Sequence, residues 1–328
     1  MTTPRCRRSI AEILEGMRPR RFPVFLAMVL ALPLGLGQLQ PAGAAAPEKE
    51  PPAPEELGGP ELVTSDGLQL SATFYPSDQG KDAVPVILLH MWKGDRKEYA
   101  SLAPFLQRQG HAVLVPDLRG HGQSTGSPFG GGKLDAAKMA NDNFYLMPYN
   151  DMQTLRKFLV KRNDEEELNL NKLCIVGAEM GAAVAAYYAA YDWVTPRREA
   201  GRAAASQDVK GLVLISPDWD FRGLPLSKPL GSPAVRGLIS MMIVAGEEDS
   251  KSFADARRVY NLLKRFHADP DTASIEEKDL FFGQPATKLQ GTKMLGVKSL
   301  NLEGAIARFI ELRLANKQYP WYQRGSDK

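Results

Sequence analysis

Short apolar runs alternate with amphipathic stretches along most of this chain. Runs at 84–90, 112–116, 173–176, 211–217 and 239–246 are rich in Val, Leu and Ile and read as strands buried on both faces. A last strand is expected at 278–282. Between them the spacing predicts helices over 98–109, 142–161, 180–193, 252–266 and 297–314. Strands alternating with helices imply an α/β fold: a mostly parallel central sheet covered on both faces. Ahead of this pattern, 61–75 reads as a hairpin turning at Asp66-Gly67, its second strand alternating apolar and polar residues. Pro47, Pro51, Pro52, Pro54 and Pro60 make 45–60 a stiff linker without a core. The stretch 218–236, with Pro225, Pro229 and Pro233, reads as loop, and 317–328 as a polar tail.

The chain has 328 residues, 44% of them hydrophobic and 24% charged, ordinary values for a soluble globular protein. The N-terminus changes how its charge is read. Arg5, Arg7, Arg8, Arg18, Arg20 and Arg21 precede an apolar stretch over 22–36, and small residues follow at 41–46. This order identifies 1–44 as a secretory signal peptide, with a secreted, periplasmic or cell-envelope location; left uncleaved, the segment would anchor the chain to a membrane. Without 1–44 the formal net charge falls from +3 to about −1, and no basic surplus remains for nucleic acid. Cys6 leaves with the signal. Cys174, in an apolar strand, reads as a small buried hydrophobe, and no C-x-x-C spacing suggests a metal. Gly130-Gly131-Gly132-Lys133 lacks the strand and the Ser/Thr of a phosphate loop, so no cofactor is expected.

The most informative segment is Gly177-Ala178-Glu179-Met180-Gly181, between the strand at 173–176 and the small-residue run Ala182-Ala183-Val184-Ala185-Ala186. Strand, G-x-S-x-G turn and helix together hold a hydrolase serine at the rim of a parallel sheet; here the turn is kept and glutamate replaces serine. Asp117-Leu118-Arg119-Gly120-His121-Gly122-Gln123-Ser124 follows the strand at 112–116. On these segments, 61–316 resembles the α/β-hydrolase superfamily of esterases and lipases, which implies the same fold with at most a small lid.

That resemblance also assigns positions. A hydrolase of this kind needs a nucleophile, an acid and a histidine, in that chain order. Glu179 stands at the nucleophile, Asp249 at the acid and Gln290 at the histidine. A glutamine side chain cannot take up a proton near neutral pH, so two of the three positions have lost the required chemistry. The resemblance places oxyanion-hole donors at Met180 N–H and near Met91, with Trp92, His90 and Lys93 lining the pocket. His267 reads as a surface residue, His111 lies at the opposite end of the sheet, and His121 belongs to the 117–124 loop. The expectation is that Glu179, at a helix N-terminus, has a depressed pKa and fills the oxyanion hole, with His90 or Lys93 as counter-ion.

Three functions stay open: an exported pseudo-hydrolase that binds a small molecule or an envelope protein; an active hydrolase of esters, amides or related acyl substrates centred on Glu179; and an interaction protein of the envelope whose pocket is irrelevant. A glutamate nucleophile and a metal site of His90, Glu179 and Asp249 are minor variants of the second.

Overall fold

A computed structural model describes residues 50–126, 132–194, 207–269 and 272–325. The signal peptide at 1–44 lies outside these residues, as does part of the glycine-rich stretch at 130–132. The main sheet runs through β1 (Glu55–Leu57), β2 (Ser71–Tyr75), β3 (Pro85–Leu89), β4 (Ala112–Asp117), β5 (Leu173–Ala178), β6 (Val209–Ile215), β9 (Ser240–Val244) and β10 (Leu280–Gly283). Its spatial order is β1-β2-β4-β3-β5-β6-β9-β10. The six strands from β4 to β10 in that order pair in parallel, while β1 and β2 form an antiparallel edge. A two-strand ribbon of β7 (Asp220–Phe221) and β8 (Leu224–Pro225) lies apart from this sheet.

The helices are α1 (Leu102–Arg108), α2 (Asn141–Leu146), α3 (Met152–Asp164), α4 (Met180–Val194), α5 (Pro233–Gly237), α6 (Ser250–Leu263) and α7 (Leu302–Ile310). The sheet's two-residue period sorts its side chains into two cores. Ile87, Leu89, Ile175, Leu212 and Ile243 join the cluster that holds Phe144, Leu155, Val184 and Val259, from α2, α3, α4 and α6. Val86, Leu88, Val176, Val213 and Met242 join the cluster that holds Leu102, Leu106, Ile306 and Phe309, from α1 and α7. Cys174 belongs to the second, fully buried, its thiol pushed well up by that burial.

Three expectations change. The linker expected at 45–60 is partly sheet, because Glu55–Leu57 pairs antiparallel with β2 in spite of the surrounding prolines. The hairpin's first arm is a 3-10 turn (Gly59–Leu62) and a single bridge from Val63 to Gln69, although Gly67, at φ 80°, makes the expected turn. The helix expected over 142–161 breaks into α2, a π turn (Met147–Asp151) containing Pro148, and α3. That turn places Asp151, fully buried, against Arg119.

The 117–124 loop is a staple. Asp117 accepts bonds from Arg96 N (2.8 Å), Arg96 Nη1 (2.7 Å) and Gln123 N (2.8 Å). Arg119, 1% exposed, reaches Asp151 on one side and Asp66 on the other. Burial alone would raise Asp66, but the bonds from Arg119 hold its carboxyl well below the usual range. The stretch expected as loop at 218–236, where the resemblance allows at most a small lid, holds the β7–β8 ribbon, turned by Arg222 (φ 47°) and Gly223 (φ 89°), followed by a 3-10 turn (Pro229–Gly231) and α5.

Between β5 and α4 the backbone folds onto itself. A Cβ on Gly177 would lie 2.2 Å from Gly181 O, and one on Gly181 would lie 2.2 Å from Leu89 O. Both obstacles are backbone and cannot rotate away. Gly181→Ala is therefore expected to destabilise the fold by about 3 kcal/mol or more, checked by urea unfolding.

Candidate functional site

The glycine pair forces the residue between them into a left-handed turn. Glu179 has φ 47°, a conformation costing a non-glycine residue roughly 1 kcal/mol. Its N–H donates to Ile215 O (3.0 Å), and its carbonyl accepts from Ala182 N (3.1 Å), opening α4. The side chain is half-buried and turns toward the loop after β10, where a Cβ on Gly291 would stand 3.5 Å from Glu179 Oε1. Among the described residues no hydrogen bond to this carboxylate is made.

The depressed pKa expected for Glu179 is overturned: its pKa is raised. Burial is the main cause, and the nearby carboxylates Asp218 and Glu98 add to it more than Lys293 and Lys251 offset it. Asp218 is itself engaged with Lys251 at 3.1 Å.

Glu98 fills the place assigned to Glu179. It lies in a 3-10 turn (Arg96–Tyr99) capped by Asp95, and its Oε2 accepts Met91 N–H at 3.0 Å. Thr292 also bonds to it, and a Cβ on Gly94 would lie 1.9 Å from its Oε1. The donor that would cradle a reacting carbonyl oxygen thus already faces a carboxylate. Burial and Asp95 raise the pKa of Glu98 against these bonds.

Neither counter-ion proposed for Glu179 serves it. His90 is fully buried, with Nδ1 2.7 Å from Met91 O and Nε2 accepting Leu118 N–H at 3.0 Å. Both ring nitrogens are committed, which fixes the tautomer with the proton on Nδ1. Burial, together with His121 at a ring distance of 4.8 Å, lowers His90 to a pKa of about 3, so it is neutral. Lys93 is exposed and lies 4.3 Å over the Trp92 ring. Trp92 also packs under Arg222 of the β7–β8 ribbon at 4.1 Å, and its Nε1 donates to Ala136 O. Met180 is fully buried as the first residue of α4.

The other two triad positions are structural. Asp249 caps α6, accepting Ser252 N–H at 2.9 Å; that bond holds its carboxyl below the usual range. Gln290 is a clip: Oε1 accepts from Ser216 Oγ (2.6 Å) and Gly246 N (3.3 Å), and Nε2 donates to Gly246 O (3.0 Å). Ser216 Oγ in turn accepts Gly291 N–H at 2.8 Å. The amide stitches together the loops after β6, β9 and β10 and leaves no atom to accept a proton. His121 Nδ1 lies 2.9 Å from Arg119 O, within the 117–124 loop. His267, expected at the surface, has a fully covered side chain 3.1 Å from Asp279. Among the described residues no three His, Cys, Asp or Glu side chains group to hold a metal, so His90, Glu179 and Asp249 do not meet.

Sequence reasoning missed Glu98 and Ser216. Glu98 carried a weak signal, being the one acid of the predicted 98–109 helix beside the oxyanion loop. Ser216 carried none.

A family model described as the alpha/beta hydrolase fold matches residues 84–235. Among solved structures, a carboxyl esterase from Bacillus coagulans is 14% identical, with 80% of this chain and 99% of that one covered at a TM-score of 0.55. An esterase from Pyrococcus furiosus is 17% identical, covering 80% of this chain and 92% of that one at 0.52. These likenesses establish the fold. Two uncharacterised Mycobacterium tuberculosis proteins are 29% identical over 124 residues, 38% of this chain and only 38% of their own length. This chain is an α/β-hydrolase-fold protein.

Glu179→Gln is expected to raise Tm at pH 7 by about 1–2 °C, discounted for solvent screening, and to change nothing near pH 3. The folded-state pKa is raised, so the ionised carboxylate costs stability above its unfolded value of about 4.3; below that both forms are neutral. Thermal melts of both chains at the two pH values check this.

Proposed function

We propose that this protein is an exported α/β-hydrolase-fold protein that binds a ligand at the elbow and does not turn it over. The reading rests on one observation: Met91 N–H, in the loop expected to supply an acyl-oxygen donor, is occupied by Glu98. Two further features support it. The amide of Gln290 cannot act as a base, and the imidazole of His90 is locked and neutral.

Glu179 has a different part. A half-buried carboxylate with a raised pKa and no bond from the described residues offers acceptor capacity to an incoming group. A ligand presenting hydrogen-bond donors, such as an amine or hydroxyls, would supply what the strained turn lacks. A carboxylate ligand would meet Glu98 and Asp218 and be repelled. Export, with a place in the envelope or outside it, rests on the N-terminal charge and hydropathy pattern alone.

One observation favours the alternative of an active hydrolase. The proton affinity of Glu179 is raised, mainly by burial, and a shift in that direction is one that acid–base residues carry. A panel of short-chain esters and amides separates the two readings. The purified chain is expected to hydrolyse none above background; turnover lost on Glu179→Ala would establish the alternative instead.

Restoration tests the cause of inertness. Glu179→Ser with Gln290→His supplies nucleophile and base but leaves Glu98 on the Met91 amide, so activity should stay at background. Adding Glu98→Ala should then give measurable p-nitrophenyl acetate hydrolysis, about 100-fold or more above the double variant.

A further inference from the structure

The C-terminal segment, expected to be a polar tail, lies against the opposite end of the molecule from the elbow. Its main-chain carbonyls are held by three asparagine amides. Asn169 Nδ2 donates to Tyr319 O (2.9 Å), Asn171 Nδ2 to Pro320 O (3.0 Å) and Asn163 Nδ2 to Tyr322 O (2.8 Å). Two of these donors are oriented by the scaffold itself, because Asn163 Oδ1 accepts Leu170 N–H and Asn169 Oδ1 accepts Asn171 N–H. The bonds read backbone, so they select an extended peptide without regard to its side chains.

Selectivity enters at Arg324. Its Nη1 reaches Asp208 Oδ1 at 2.6 Å, and its N–H donates to Asp164 Oδ1 at 2.6 Å. Asp208 is fully buried, and its other oxygen is held by Arg156 at 2.7 Å. Apolar contact is concentrated at Tyr319, half-buried against the second core; Pro320, Tyr322 and Gln323 are exposed, and Lys81 lies over the Trp321 ring at 4.2 Å. Beyond Tyr319 the strap is held mainly by polar bonds and one ion pair, contacts that a competing segment of the same chemistry could take over.

We propose that the cleft formed by Asn163, Asn169, Asn171 and Asp208 is a peptide-recognition site for an extended segment carrying an arginine, and that its occupant is this chain's own 319–325 strap, bound releasably. Tethering gives the strap an effective concentration of order millimolar, so it excludes free peptide until its anchor is weakened.

A fluorescently labelled peptide of residues 317–325 tests this by anisotropy with the full-length chain. The R324A chain is expected to bind it about tenfold or more tighter than the wild type, because its own strap no longer competes. A peptide carrying the same R324A change should bind neither chain. Equal binding by both chains, or equal binding of both peptides, would overturn the proposal. Circular dichroism melts check that R324A folds. Should it not fold, the wild type serves: excess peptide should accelerate trypsin cleavage after Lys317, and the altered peptide should not. Absence of that acceleration overturns the proposal, as does a dimer in which straps cross between two copies.

Discussion

Everything at the elbow depends on a contact between backbones. The N-terminus of α4 lies so close to the end of β3 that a single methyl on Gly181 would collide with Leu89 O, and one on Gly177 would collide with Gly181 O. This closeness sets the left-handed turn at Glu179 and brings the loop after β3 past it. The geometry comes from the glycines and not from the residue at the vertex. A glutamate can therefore stand where a hydrolase keeps its serine with the fold intact. Scaffold and chemistry separate at this point.

The electrostatics of the site follow from the same crowding. Glu98 and Glu179 both lie half-buried around the loops at 91–94 and 290–292, and each has its proton affinity raised mainly by burial. The two are not equivalent. Glu98 is compensated by Met91 N–H and Thr292, while among the described residues Glu179 has no such bond. On the proposed reading, a compensated carboxylate on the Met91 amide works as a plug. An uncompensated one on a strained turn is a reservoir of unused acceptor capacity, the feature that local rules of stability would remove were it not used.

The sheet was legible because its strands are buried on both faces and so appear as unbroken apolar runs; β3, β4, β5, β6 and β9 fall within two residues of their expected limits. β1 was hidden because its three residues carry two glutamates and sit among prolines, and only pairing with β2 makes them a strand. At the site, Glu179, Asp249 and Gln290 were assigned from motif order, which carries no information about their bonding. Helix-terminus reasoning predicted an acidic Glu179, since the dipole favours a charge there; the left-handed turn instead aims the side chain toward Gly291, among other carboxylates, and desolvation wins. Glu98 escaped notice because its bond to Met91 crosses a loop of seven residues that no periodicity marks.

The two ends of the sheet illustrate one rule in opposite senses. At the strap end, polar side chains are dense and matched: Asp208 has an arginine on each oxygen, and Asn163 and Asn169 use both ends of their amides. Such a network sets what a segment lying there must offer, because Asp208 calls for an arginine, from this strap or from a competing peptide. At the elbow, among the described residues, the Glu179 carboxylate is left without a hydrogen bond. A buried polar group with all its partners argues for architecture, and one without them argues for a partner supplied from outside. By that reasoning the strap cleft is filled by the chain itself, whereas the Glu179 carboxylate, unbonded among the described residues, is where the proposed ligand would add a partner.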